Sequence, residues 1–185
     1  MNPCNPCSAA NPCNPCAAAA DIEITAAEAS AVYECLQAEM AGYSRSGLDV
    51  ASAYPGWTNV ATAPYPSDTH GGRFVNNYVN AVGAAAYQKY ENIGTAPVGT
   101  VTAKDSFLVK PSGKTSVGPL FVMEKMAAGF NGDTGDWKYT MIMPNGSVVG
   151  VTNGKGAKNV AFCADCHNAA EDQDRLFFLP EEFRK

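Results

Sequence analysis

The sequence lacks any apolar run approaching the roughly 20 residues that span a bilayer, which excludes a transmembrane helix and predicts a soluble chain. It also lacks a positive surplus. The formal net charge is −5, so there is no basic footprint for nucleic acid or for an anionic membrane surface. An acidic surface of this size favours solubility and suits a basic protein partner. No signal peptide is visible, because Met1 runs straight into a polar Asn-Pro-Cys repeat with no apolar segment behind it. Only two histidines occur, His70 and His167, which narrows the imidazole ligands available to a metal. At 185 residues the chain is long enough to bury one real core.

Cysteine, by contrast, is plentiful. Seven cysteines suggest an oxidising compartment or a set of thiolate sites. Four of them, Cys4, Cys7, Cys13 and Cys16, lie in residues 1–20, where the hexapeptide Asn-Pro-Cys-Asn-Pro-Cys occurs at 2–7 and again at 11–16. Repeated proline prevents a regular helix there and little apolar surface is available, so residues 1–20 read as a flexible tail ahead of a single domain over 21–185. The two Cys-x-x-Cys pairs stand too close together for a zinc ribbon, and neither is followed by histidine. Disulfides, a thiol or metal-binding tail and a simple spacer all remain open for them.

Within 21–185 the first element is a helix over about 26–42, with Ala27, Val32, Leu36 and Met40 at helical spacing and Thr25 with Glu28 as a capping box. Cys35 falls inside it and reads as a buried, inert thiol. Residues 44–70 are rich in Gly, Pro and Ser and predict a long loop. Strands follow at Phe74–Val79, Val101–Val109, Leu120–Met126 and Trp137–Met143, with a short helix from Asn80 through Tyr90. Asn145-Gly146 marks a hairpin whose second strand is Ser147–Thr152, and Leu176–Leu179 packs the end of the chain on the core. The fold class is α+β, a mainly antiparallel β-sheet with a few helices.

The one motif that carries chemistry is Cys163-Ala164-Asp165-Cys166-His167. Two thiols three residues apart on a helical turn can both add to the vinyl groups of a haem, and the next residue then offers its imidazole to the iron. A redox dithiol is disfavoured, because no thioredoxin-like strand–helix context surrounds the pair. The expectation is one covalent haem c held by Cys163 and Cys166 with His167 as proximal ligand, in a periplasmic or secreted protein. The sixth iron position then decides function: a strong protein ligand makes an electron carrier, an open position a gas binder or an enzyme.

Three stretches give the region from about 72 to 180 a resemblance to the cytochrome P-460 family, whose relatives include the β-sheet cytochromes c′-beta. They are Gly99-Thr100-Val101-Thr102-Ala103-Lys104, Gly135-Asp136-Trp137-Lys138-Tyr139, and Lys158-Asn159 running into Cys163–His167. The first 70 residues add nothing usable to it. The resemblance implies an antiparallel sheet beside one c-type haem. It also implies an activity, either oxidation of hydroxylamine at a five-coordinate haem crosslinked to lysine or binding of nitric oxide at an uncrosslinked one. Lys104 matches the crosslinking lysine.

Strand alternation puts Thr102, Lys104 and Ser106 on one face and Asp105 on the other, and periodicity alone would leave the lysine face in solvent. One departure concerns the carboxylate that active members are thought to use as a proton acceptor: Gly146 to Phe162 contains no Asp or Glu. That departure suits ligand binding better than turnover. His70 has three readings, as a distal ligand, a haem-propionate contact or a loop histidine. Met123 and Met126 read as core residues. The functions in play are a hydroxylamine-oxidising cytochrome, a nitric-oxide-binding protein and a six-coordinate electron carrier. The partners expected are a small nitrogen compound and a redox protein, with a homodimer compatible with the sheet edges.

Overall fold

The computed structural model describes residues 23–185; the Asn-Pro-Cys repeat and its four cysteines lie outside the described residues. No helix among the described residues is long and apolar enough to cross a membrane.

Helix α1 spans Ala26–Met40 and begins at the expected capping box, in which Glu28 N donates to Thr25 Oγ1 and Thr25 N donates to Glu28 Oε2 at 2.8 Å. Its buried stripe is Ala29, Val32, Leu36 and Met40. Ala27, expected on that stripe, is exposed: it stands five residues before Val32 and so points well round the helix, whereas Ala29 stands three before. Cys35 is half-buried rather than fully buried.

The expected long loop over 44–70 is instead a chain of short elements. After a 3₁₀ turn at Ala41–Ser46 come α2 (Asp49–Ala53), the two-residue strand β1 (Thr58–Asn59) and β2 (Tyr65–Ser67). They escape sequence detection because each is too short to show a period, and Pro66 sits inside β2. Proline is tolerated there because β2 is an edge strand, paired only with its neighbour.

The sheet proper is β3 (Arg73–Val79), then α3 (Ala84–Tyr87), β4 (Val101–Val109), β5 (Thr115–Val117), β6 (Leu120–Lys125), β7 (Trp137–Ile142) and β8 (Val148–Val151). All pairings are antiparallel, in the order β1-β3-β4-β6-β7-β8, with β2 also on β3 and β5 also on β4. The expected strands therefore form, within a residue at their ends. The expected helix from Asn80 through Tyr90 is only the single turn α3, whose N-cap is Gly83; the Asn80 side chain accepts from Gly83 N at 3.1 Å and so closes the turn ahead of it. The β7–β8 hairpin turns at Gly146, whose φ of +87° and close approach to Arg45 leave no room for a side chain. Helix α4 (Ala161–His167) follows, preceded by a 3₁₀ turn at Ala157–Val160.

Alternation sorts the sheet into two buried faces. On the first, Tyr78, Ala103, Phe107, Leu120, Val122 and Ile142 pack beneath α1. This face also buries Asp105, which accepts from Tyr33 Oη at 2.7 Å and from Tyr54 Oη at 3.3 Å. On the second face Val75, Val79, Met123, Trp137 and Tyr139 pack against Ala164 of α4 and against Leu176 and Leu179 of the chain's last segment. Because β4, β6 and β7 are neighbours, the second face also carries Lys104, whose register partner on β6 is Phe121. The lysine face is thus covered rather than solvated.

Candidate haem site

Helix α4 carries Cys163, Cys166 and His167 at i, i+3 and i+4, so both thiols and the imidazole fall to one side. That side opens on a cavity of about 250 Å³ with predominantly apolar walls. The second sheet face supplies Lys104, Phe121, Met123 and Tyr139, and a further wall is the Thr69–Gly71 segment that carries His70. Phe162 and Phe177, 54% and 39% exposed, line its rim. The cavity therefore gathers Cys163, Cys166, His167, Lys104 and His70 from three separate parts of the chain. Met123 also lines it while packing in the core; Met126 is not among its lining residues.

His167 is buried, and its Nδ1 lies 2.7 Å from the carbonyl oxygen of Arg175. A carbonyl can only accept, so Nδ1 carries the proton. Burial, with a smaller contribution from Lys104, pushes the imidazole down to about 4 against that hydrogen bond, so it is neutral at pH 7 and Nε2 keeps a lone pair. The ring is held by Tyr139 and Phe177, with centroids at 5.5 and 5.4 Å. This is the state in which an imidazole binds a metal.

His70 is anchored differently. Its Nδ1 lies 2.8 Å from Ser67 Oγ, and its ring meets Phe121 edge-on at 4.8 Å. Burial first, then the charges of Lys104 and His167, holds it down at about 3, so it too is neutral at pH 7. Burial also lowers the Lys104 ammonium to about 8, opposed by Cys166, and raises the Cys163 thiol to about 11. Among the described residues no carboxylate lines the cavity, and Asp105 points to the other face of the sheet.

These residues fit a c-type haem. The phenol of Tyr139, 2% exposed, sits in the cavity wall with its Oη buried and without a hydrogen-bond partner among the described residues, as expected where a further group belongs. The apolar walls suit a porphyrin, the two thiols suit its vinyl groups and the neutral imidazole suits its iron. Tyr139, Phe121 and the Arg175 carbonyl were not legible as site groups in the sequence, because only the β4–β6–β7 register brings the first two beside Lys104.

A comparison with curated proteins gave no match. The family model for cytochrome P460 matches residues 51–178, starting earlier in the chain than the three motif stretches do and taking in the end of α2 and both short edge strands. With that match covering more than half its length, the chain belongs to the cytochrome P-460 family of c-type haem cytochromes.

Proposed function

We propose that this protein holds one haem c through thioethers from Cys163 and Cys166, with His167 on the iron, and oxidises hydroxylamine or a related small nitrogen compound in the cavity beside Lys104. The observation that carries the proposal is Lys104 itself. A lysine expected in solvent lies in the same cavity wall system as the Cys-x-x-Cys-His helix, with burial raising its neutral fraction. The haem, when bound, supplies the iron at which a small nitrogen compound would coordinate and lose electrons. The protein contributes the rest. Arg175 orients His167, the apolar walls exclude water, and Lys104 provides an amine able to bond to the macrocycle.

In that linkage a C–N bond forms from Lys104 Nζ to a porphyrin carbon, with loss of one N–H and one C–H. The two electrons and two protons go to an oxidant of the peroxide class, which leaves as water. Electrons taken from the substrate leave to a redox partner protein. Haem attachment of this type takes place outside the cytoplasm, which supports a periplasmic or equivalent location for the mature protein.

Intact-protein mass spectrometry of the haem-loaded chain tests the crosslink. The expected mass is lower than polypeptide plus haem by the two hydrogens lost; the simple sum would count decisively against it.

One observation favours a second reading. A cavity lining without a carboxylate among the described residues suits capture of nitric oxide without turnover, as in a cytochrome c′-beta. In that case the ferrous protein will bind nitric oxide and carbon monoxide yet show no hydroxylamine-dependent reduction of an electron acceptor. A low-spin spectrum indifferent to carbon monoxide would instead point to His70 or Met123 on the iron and an electron carrier.

A further inference from the structure

The carbonyl that receives His167 Nδ1 belongs to an unusual turn. Asp174 and Arg175 have consecutive positive φ values of 49° and 62°, a conformation that residues with a Cβ adopt reluctantly. Something must hold it, and three contacts converge on Asp174. Its Oδ1 meets Lys125 Nζ at 2.6 Å, with both side chains 9% exposed. Its Oδ2 accepts from Ala96 N at 2.9 Å, and its backbone carbonyl accepts from Trp137 Nε1 at 2.8 Å.

Lys125 is itself fixed. It donates to Gly135 O at 2.9 Å and lies 5.2 Å from the centroid of the Trp137 ring. Arg175 is pinned from its own side, through its N to Ala170 O at 2.7 Å and its Nε to Asn168 Oδ1 at 2.7 Å. Gly135 admits that arrangement, because a Cβ there would fall 2.0 Å from the Arg175 guanidinium.

A buried ion pair with every polar atom matched is costly to assemble, and an apolar pair would fill the space more cheaply. Its geometry here gives it a task. We propose that Lys125, Asp174 and Trp137 are positioning residues for the proximal ligand: they lock the 174–175 turn so that the Arg175 carbonyl stays on His167 Nδ1–H. Strong acceptance at Nδ1 makes the imidazole a better donor at Nε2, which favours ferric over ferrous iron. The strands β6 and β7 that bear Lys125 and Trp137 thereby tune a ligand carried on α4. The inference rests on His167 binding iron and does not depend on which nitrogen compound the cavity takes.

The test uses the full haem-loaded protein and reads the iron–histidine stretching band of the ferrous form together with the reduction potential. Trp137→Phe removes one hydrogen bond to the turn and no charge. It is expected to move the band to lower frequency and raise the potential. Lys125→Met is expected to move the band the same way, and Lys125→Arg, which keeps charge and donors, to restore it. If Lys125→Met fails to fold, Trp137→Phe decides alone, since its potential is free of any charge effect. A band and potential unmoved in folded Trp137→Phe overturn the inference while leaving haem ligation intact. No iron–histidine band in the unaltered five-coordinate protein would overturn the ligation by His167 itself.

Discussion

On the proposed function, replacing Lys104 with arginine will leave the haem attached through its thioethers, remove the proposed third covalent link and cut hydroxylamine oxidation by roughly 10²-fold or more, the scale of losing a group that acts in the reaction itself. The contrast between the two side chains is chemical. With its pKa brought down to about 8, the Lys104 amine is neutral in roughly a tenth of molecules at pH 7 and can form a C–N bond. A guanidinium keeps the charge but has no such fraction. Arginine therefore separates the charge of Lys104 from its nucleophilicity. Lys104→Met removes both, and by relieving a buried ammonium it should be no less stable at neutral pH. The measurements are the intact mass of each haem-loaded variant and its hydroxylamine-dependent reduction of an electron acceptor. A Lys104→Arg protein that kept full turnover would sink the role of Lys104 in the reaction, and one that kept the lighter mass would show that the link is made elsewhere.

The stability that Asp105 contributes will be lost as pH rises from about 4 through 7, and Asp105→Asn will abolish that loss. Asp105 is wholly buried on the α1 face of the sheet, where Tyr33, Tyr54 and Tyr78 surround it and Tyr33 Oη lies 2.6 Å from Tyr78 Oη. Burial raises the carboxyl from 3.8 to about 7, against hydrogen bonds from Tyr33, Tyr54 and Asn76 that favour the anion.

The folded state thus holds a proton that the unfolded chain has already released. The stabilisation is complete below the unfolded pKa and is lost as pH climbs through the folded one. The shift corresponds to something on the order of 4 kcal/mol at most. An asparagine keeps an acceptor for the two phenols. It also sets an amide where Asp105 Oδ1 is buried without a hydrogen-bond partner among the described residues. Urea unfolding of both proteins at pH 5 and pH 8 checks this. Asp105→Asn should be the more stable at pH 8 by about 2–4 kcal/mol, with the gap closing at pH 5. Curves that stay parallel across that range would mean that Asp105 does not carry the buried proton.

Much of the architecture is local, and local chemistry is what a sequence displays. The Thr25–Glu28 box begins α1, the alternation over Val101–Val109 makes β4, Asn145-Gly146 turns the β7–β8 hairpin, and the Cys163–His167 run sits on its own short helix. Elements too short to repeat a period, such as β1 and β2, could not be read that way, and Ala27 falls off the buried stripe of α1 because it stands five residues before Val32 rather than three or four.

By itself, then, the chain determined which residue types bear the chemistry: two thiols and an imidazole at haem spacing, a lysine on an alternating strand, a second histidine beside paired glycines. Only tertiary structure decided that Lys104 and His70 share a cavity with that imidazole, that Asp105 is sealed on the far side, and that Lys125 and Trp137 lock the turn behind His167. The reason is physical. Alternation tells which side chains share a face of one strand, but covering a face, and bringing Phe121 and Tyr139 level with Lys104, depends on the register between strands and on what packs above them.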